Sequence, residues 1–204
     1  MKVRLFAAVL AIAAAPFVAR AADEENPYKK AKVGDFANYK MTTKVMGLNI
    51  EGTVTQTVVD KNDKEVTIEV TGKVMGTDIP VRKQTIDVTK PFDPTQANGP
   101  LPAGVQATVE KLKDGKEKVK VGTKEYEAKW DSFKMKAKAA GMDIEADMKV
   151  WYTKELNIPI VKMEATVESA GQKMEIQMEM TEIGSKDVAK KDKESEKKKE
   201  PEKK

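Results

Sequence analysis

The 204-residue chain contains neither cysteine nor histidine. Without cysteine there is no disulfide, so the fold must be held by its own core. The two absences also exclude thiol nucleophiles, imidazole bases and the usual zinc, haem and copper–imidazole sites. The few serines lie outside any nucleophile-elbow sequence, and no glycine-rich phosphate loop precedes a helix. We therefore expect no enzyme activity, no cofactor and no metal.

Long apolar runs are almost absent, and the one exception lies at the N-terminus. It extends from Leu5 to Val18, follows a basic start and is followed by Ala19-Arg20-Ala21. This is the pattern of a cleaved secretory signal peptide, and the run is too short for a permanent membrane anchor. No cysteine lies near the cleavage point, so lipid attachment there is excluded. We expect residues 1–21 to be a signal peptide and the protein to be secreted or periplasmic, not membrane-spanning.

Positive charge is concentrated at the two ends of the chain. The net charge is +4, but residues 1–21 hold three basic residues and no acid, and residues 185–204 hold nine lysines against six acids. The body between them is close to neutral, about −2 by the same count. A balanced body lacks the basic signature of nucleic-acid binding, so no nucleic-acid partner is expected.

Residues 185–204 have one valine and no aromatic residue. Such a segment cannot bury enough apolar surface to offset the entropy of ordering its backbone, which predicts a disordered tail. It either solubilises the protein or tethers it through lysine to an anionic envelope surface.

Apolar and polar residues alternate through most of residues 22–184. The pattern is clearest in 66–74, 142–152, 161–167 and 174–180. Period two predicts strands with one dry and one wet face, as in antiparallel sheets. We predict a single all-β domain over 22–184: a curved antiparallel meander of about nine or ten strands, a half-barrel or barrel with little helix. Residues 134–140 fit either a short helix or the end of a strand.

Four similar segments punctuate this pattern around Gly47, Gly76, Gly141 and Gly171. They are interpreted as hairpin tips, since glycine supplies the positive φ that tight turns need and no ligand set repeats with them. Further loops are predicted at 60–63, 113–116 and 121–124. A proline- and glycine-rich segment, 90–104, predicts a long loop that crosses an edge or an open end of the sheet.

A sheet with one apolar face and almost no helix to cover it must close on itself or curl round a ligand or partner. Methionine is the unusual abundance, and a flexible thioether lining suits apolar molecules such as acyl chains. A copper site of methionines in 174–180 is less favoured than core packing, because no histidine reinforces it. Trp151 and Tyr152 point to opposite faces, so only one of them is expected inside. The candidate ligand-binding residues are Met148, Val150, Tyr152, Met174, Ile176 and Met178.

Two stretches carry a resemblance to known proteins. VGDFANYKM (33–41) resembles the opening of small secreted bacterial β-proteins of unknown function, and KVGTKEYEAKW (120–130) with KVWYTKELNIPIVKMEATV (149–167) resembles their later hairpin. Such proteins are similar to the LolA/LolB-like envelope carriers. The resemblance implies a curved half-barrel around an apolar cavity and no catalytic residue.

Two functions remain open at this point. The first is non-catalytic binding of a lipid or acyl chain inside the half-barrel. The alternative is a structural or protein-interaction module of the cell envelope with a closed core and no ligand.

Overall fold

The computed structural model describes residues 25–95, 106–139 and 142–186. A 3-10 turn, Pro27–Lys30, precedes ten strands. The strands are β1 (Asp35–Val45), β2 (Leu48–Lys61), β3 (Glu65–Val74), β4 (Thr77–Asp78), β5 (Arg82–Asp87), β6 (Gln106–Val121), β7 (Lys124–Ala139), β8 (Met142–Tyr152), β9 (Ile160–Ser169) and β10 (Gln172–Ser185). The all-β prediction and its strand count are confirmed, and residues 134–139 end a strand rather than form a helix.

All ten strands belong to one antiparallel sheet in the order β4-β3-β2-β1-β10-β9-β8-β7-β6, with β5 also paired to β3. β4 and β5 together form one edge, interrupted at Pro80, which has no N–H to donate. β6 forms the other edge. The two edges are not hydrogen-bonded to each other over the described residues, so the sheet is a half-barrel and not a closed barrel.

Three of the predicted hairpin tips are confirmed as two-residue turns. Met46-Gly47, Met75-Gly76 and Ala170-Gly171 each have positive φ at both positions, about 50° at the first residue and 73–79° at the glycine. Positive φ at both central residues is the type I′ pattern, whose twist matches that of the flanking strands. The fourth predicted tip, at Gly141, lies outside the described residues.

The loop predicted at 113–116 is wrong, because these residues lie in the middle of β6. The local irregularity is a bulge: Lys111 pairs with Phe133, and Lys113 pairs with Ser132. Gly115 stands opposite Trp130, where its missing side chain leaves room for the indole. The loop predicted at 121–124 is a turn, with Gly122 at a φ of 58°. β2 continues through Lys61 and the next turn covers 62–64, so only residues 62 and 63 of the loop predicted at 60–63 lie in a turn.

One face of the sheet, called here the inner face, carries the core. Its buried side chains form a single cluster that reaches from β5 to β6. At the lower end of the sheet, where β1 begins and β10 ends, the connection 153–159 adds Leu156 and Ile158 to this cluster. Asn157 of that connection donates a 3.0 Å hydrogen bond to the Asp35 carboxylate. The hairpin tips at Gly47, Gly76 and Gly171 lie at the opposite, upper end, because β1, β3 and β9 run in the same direction.

A smaller part of this cluster, called here the outer cluster, lies on the outer face and includes Trp151. The lower half of the β6–β7 hairpin contacts β9 and β10, and a Cβ on Gly122 would lie 3.4 Å from the Thr181 carbonyl oxygen. Trp151 is consequently only 2% exposed although it points away from the inner face. Of the two residues only Tyr152 lies on the inner face, as expected, but Trp151 is buried as well, on the outer face. The covering hairpin, which is longer than β8, could not be inferred from the alternation within β8 itself.

Candidate functional site

The six predicted ligand-binding residues all lie on the inner face, on β8 and β10, with β9 between them. Their neighbours in register form continuous rows across the sheet. Val150 stands opposite Met163, Met163 opposite Met178, and Met178 opposite Met41. Four of the six are buried; the partly exposed ones are Tyr152 and Ile176. The sequence thus grouped these residues correctly, and their role in binding stays a prediction.

Other inner-face residues were not singled out from the sequence, although the same alternation marks them. Met135 is fully buried and Phe133 is 2% exposed, both on β7. Met180 on β10 stands opposite Tyr39 on β1. Period two in β1 and β7 would have identified them, so the apolar face is wider than the predicted set. Methionine side chains occupy it on five strands: β1, β7, β8, β9 and β10.

An ion pair lies at the β6 edge of this face, where no charge was expected. The Lys111 ammonium lies 2.7 Å from the Asp131 carboxylate, and the Tyr152 hydroxyl donates a 3.0 Å hydrogen bond to the same carboxylate. Burial alone would lower the pKa of Lys111, but the hydrogen bond and charge of Asp131 raise it above its usual value. Asp131 lies two residues before Phe133 on β7 and therefore on the same face. The alternation could have placed Asp131 on the inner face, but it was not used for this residue.

Two buried tyrosines form a second polar feature. The Tyr39 hydroxyl donates a 3.0 Å hydrogen bond to the Ile160 carbonyl oxygen. The Tyr28 hydroxyl is buried without a hydrogen-bond partner in the described part of the chain. Burial raises the pKa of both phenols, so both are neutral donors at physiological pH. A buried donor without a partner costs about 1–3 kcal/mol, which marks Tyr28 as a point where a bound polar atom would be stabilising.

The open side of the half-barrel near these tyrosines is covered by segments that are not strands. The cover consists of the 3-10 turn and residues 88–95, called here the strap. The Asn26 amide donates to the Lys90 carbonyl oxygen at 3.1 Å, joining turn and strap. The Phe92 ring lies 6.0 Å from Tyr28 and 5.2 Å from Tyr152, centroid to centroid, so the strap bridges the turn to β8. The strap contains the start of the loop predicted at 90–104, and residues 96–104 lie outside the described residues.

The outer face offers a different surface. An open groove of about 640 Å³ crosses β1–β3 and is lined by polar and apolar side chains, among them Asn38, Lys40, Lys73 and Met75. No group of three or more acidic residues placed to hold a metal occurs among the described residues. Within the same ranges, no helix is long and apolar enough to cross a membrane.

Comparisons with known proteins extend these observations at the level of the fold. No family model matches the chain, and neither does any curated protein. One solved structure matches: a protein from Bacteroides fragilis described as exported and as having a YmcC-like fold. The match covers 76% of this chain and 97% of that one, with 12% identity and a TM-score of 0.51. The chain therefore shares the all-β fold of that protein, and the resemblance to small secreted β-proteins holds at this coarse level.

Proposed function

We propose that this protein is an exported, non-catalytic binding protein of the cell envelope that holds the apolar chain of a lipid or lipoprotein against its inner face. The proposal combines the N-terminal signal pattern with the likeness to a protein described as exported. The bound group is an acyl chain or a molecule of similar shape. Met148, Val150, Met174, Ile176 and Met178 line its path, and Tyr152 lies at one end of it.

The observation that carries the proposal is the contrast between the sheet and its cover. Methionines on neighbouring strands form an adaptable apolar surface. Their open side is closed by the strap and the 3-10 turn, which lie outside the strand ladders. They are held by side-chain contacts and by backbone bonds such as that from the Val88 N–H to the Lys64 carbonyl oxygen. Elements held by few contacts open at low free-energy cost, whereas hydrogen-bonded strands do not. Displacement of the strap would admit a chain without unfolding the sheet.

The Tyr28 hydroxyl supports a ligand that has a polar group at one end. It is buried beside the strap and has no partner within the described residues. A carboxyl or ester oxygen of the bound lipid would accept its hydrogen bond. Tyr28→Phe should therefore weaken binding of a fatty acid while leaving the ligand-free fold as stable as before, or more stable.

The test begins with native mass spectrometry of the purified protein and extraction of any lipid that co-purifies. Uptake of a fluorescent fatty acid is then measured for the wild type, for Tyr28→Phe and for Asn26→Ala, which loosens the strap. We expect faster uptake by Asn26→Ala and weaker retention by Tyr28→Phe. No lipid in repeated preparations, together with no uptake by any of the three proteins, would overturn the proposal.

The alternative function, an interaction module with a closed core, is favoured by one specific observation. Most inner-face side chains are already 8% exposed or less and form one continuous cluster without any ligand. If this alternative holds, Asn26→Ala lowers only the stability of the protein and adds no uptake. The same set of measurements therefore separates the two functions.

The lysine-rich tail has a separate proposed role as an electrostatic tether to anionic envelope surfaces. β10 extends to Ser185, and the Lys186 N–H donates to the Gly34 carbonyl oxygen, so a truncation should begin at residue 187. Removal of 187–204 should weaken binding to anionic vesicles at low salt. Unchanged binding would show that the tail is not a tether.

A further inference from the structure

The upper end of the half-barrel exposes methionines that the fold does not need there. Met46 is 78% exposed and Met75 is 77% exposed, while the seven other methionines whose side chains are described are 8% exposed or less. Leu48, beside the first tip, is 66% exposed. Large apolar side chains at projecting tips lose favourable burial, and groups of them mark contact surfaces.

The turn geometry makes these two methionines more informative. Each occupies the first central position of a type I′ turn, with a φ of 51°. Asparagine, aspartate or glycine is favoured at this position, and another L-residue there costs about 1–2 kcal/mol. Neither the backbone nor the core explains methionine at Met46 or Met75. The third described tip has the same geometry with Ala170 in this position, which shows that the turn itself does not require a long apolar side chain.

The two tips repeat one sequence, Lys-Val-Met-Gly, at 44–47 and 73–76. Lys44 and Lys73 are exposed, two residues before each methionine. Residues 44–51 and 73–83 together contain four basic residues and two acidic ones. One acid, Glu51, is paired with Lys40 at 2.9 Å; the other, Asp78, lies 3.6 Å from Lys73. Lys44 stands opposite Glu175 in register, and Glu175 is itself bridged by Lys173 at 3.3 Å. Lys83 of the second range lies 3.8 Å from Glu69. With Lys40 and Glu69 included, the two tips carry five basic and three acidic residues, a local excess of two positive charges.

Both tips lie on neighbouring hairpins at the same end of the sheet. The Met75 N–H donates to the Glu51 carbonyl oxygen at 3.3 Å, which places the second tip three residues along β2 from Leu48. Leu48 pairs with Val45 at the upper rim of the inner face. The opposite end is occupied by the 3-10 turn, the strap and the 153–159 connection. The apolar tips thus lie on the β1–β3 side of the end that these segments do not cover.

We propose that this end docks on a bilayer containing anionic lipid, with the Met46, Leu48 and Met75 side chains inserted among the headgroups and Lys44 and Lys73 at the lipid phosphates. Two narrow projecting tips of flexible side chains suit a fluid surface, because they need no preformed pocket. Lysines beside them gain attraction from the negative surface potential. The inference does not depend on a ligand at the inner face, since the tips and their charges are the same in a closed-core protein.

The experiment is flotation of the full chain with vesicles of phosphatidylcholine containing about one-third phosphatidylglycerol, compared with pure phosphatidylcholine. Because the apolar and charge contributions add, the double variant Met46→Asn/Met75→Asn should bind the anionic vesicles at least about tenfold more weakly. Ala170→Asn, the same change at the third tip, should bind as the wild type does. Lys44→Gln/Lys73→Gln should lose the part of the preference for anionic vesicles that the tips contribute, while the part contributed by the tail remains.

The asparagine variants separate binding from folding, since asparagine fits the turn better than methionine and should not lower stability. Every protein tested retains the lysine-rich tail, so any loss of binding comes from the tips. Equal flotation of the wild type and the methionine double variant would overturn the proposal. So would equal binding to anionic and pure phosphatidylcholine vesicles, or binding by neither. If the protein carries no lipid at its inner face but its flotation depends on the tips, the proposed ligand is ruled out and the membrane-docking inference stands.

Discussion

Gly115 and Trp130 face each other across β6 and β7, and the indole occupies the space of the missing side chain. A Cβ on Gly115 would lie 2.7 Å from Cζ2 of the ring. The Trp130 ring also contacts Lys149. The Lys149 ammonium lies 4.0 Å from the centroid of the Trp130 ring and 4.2 Å from that of the Trp151 ring. The glycine is therefore part of the packing of the outer cluster.

Gly115→Ala should destabilise the protein by about 1–3 kcal/mol, because the indole must move away from Lys149. Within a strand interior, alanine is ordinarily favoured over glycine by about 0.5–1 kcal/mol, so the sign of the effect is diagnostic. Urea unfolding followed by tryptophan fluorescence measures it. Lys116→Ala, at a neighbouring exposed position, should change stability by less than about 0.5 kcal/mol. A stabilised Gly115→Ala variant would contradict the packing role.

Met46→Asn should leave the free energy of unfolding unchanged or raise it by up to about 1 kcal/mol, because asparagine tolerates the positive φ of this turn. The control is the same substitution at Met41, which is on the same hairpin but only 5% exposed. Met41→Asn should cost about 2–5 kcal/mol through lost packing and a buried amide. Chemical unfolding of both variants measures the contrast. A large loss of stability in Met46→Asn would show that the Met46 side chain supports the fold.

Asp131→Asn should destabilise the protein by about 1–3 kcal/mol near neutral pH, since Lys111 would be left beside a neutral amide. Asp114 is the matched control: its carboxylate lies 3.5 Å from the same ammonium but its side chain is 70% exposed, against 9% for Asp131. Asp114→Asn should cost less than about 0.5 kcal/mol. Equal losses in the two variants would contradict the structural role of the inner-face pair.

The same pair predicts a dependence on alkaline pH. A raised pKa for Lys111 means that its stabilising contribution is complete below the unfolded-state pKa of about 10.4 and is lost as the pH rises through the folded-state value. The stability difference between the wild type and Asp131→Asn should stay constant from about pH 6 to 9 and narrow above about pH 10.4. Urea midpoints across this range measure it. A difference that is already narrowing near neutral pH would contradict the assignment to Lys111.

Asp87 provides a prediction at acidic pH. The Thr89 hydroxyl donates to its carboxylate, the Lys90 ammonium lies 3.1 Å away, and the Thr89 N–H donates as well; together they lower the pKa of Asp87 to about 2. A lowered pKa stabilises the fold above the unfolded value of about 3.9, and the effect is lost as the pH falls towards 2. Carboxyl NMR titration of Thr89→Val should show the Asp87 pKa rising towards 3.9. Thr85→Val, two residues before Asp87, should leave it unchanged.

The strands and the tight turns of the fold could be predicted from the sequence. Alternation at residues 142–152 and 174–180 assigned the inner face of β8 and β10 correctly, because burial on one side of a strand imposes period two on the residues. The glycines at 47, 76 and 171 were recognised as tips because positive φ restricts the residue types that fit. Both signals are local, and each is set within a single strand or turn.

Contacts between segments that are distant in the sequence could not be predicted from it. Gly115 was misread as a loop residue because the indole it accommodates lies on another strand. The burial of Trp151 on the outer face was not expected because the hairpin that covers it belongs to β6 and β7. Asp131 has the parity of Phe133, but its partner Lys111 becomes a neighbour only through strand pairing. In each case the missing information was which strand lies beside which, and the sequence of one element does not contain it.

The open edges of the half-barrel have a consequence for the behaviour of the protein in solution. β6 is a 16-residue edge strand, and unpaired N–H and C=O groups on such an edge are a template for pairing with another copy of the chain. Lysine occupies positions 111, 113, 116, 118 and 120 along it, and Pro80 interrupts the opposite edge. Two copies brought edge to edge would therefore meet either like charges or a missing donor. The edge lysines and Pro80 should therefore oppose growth of the unclosed sheet into a fibre.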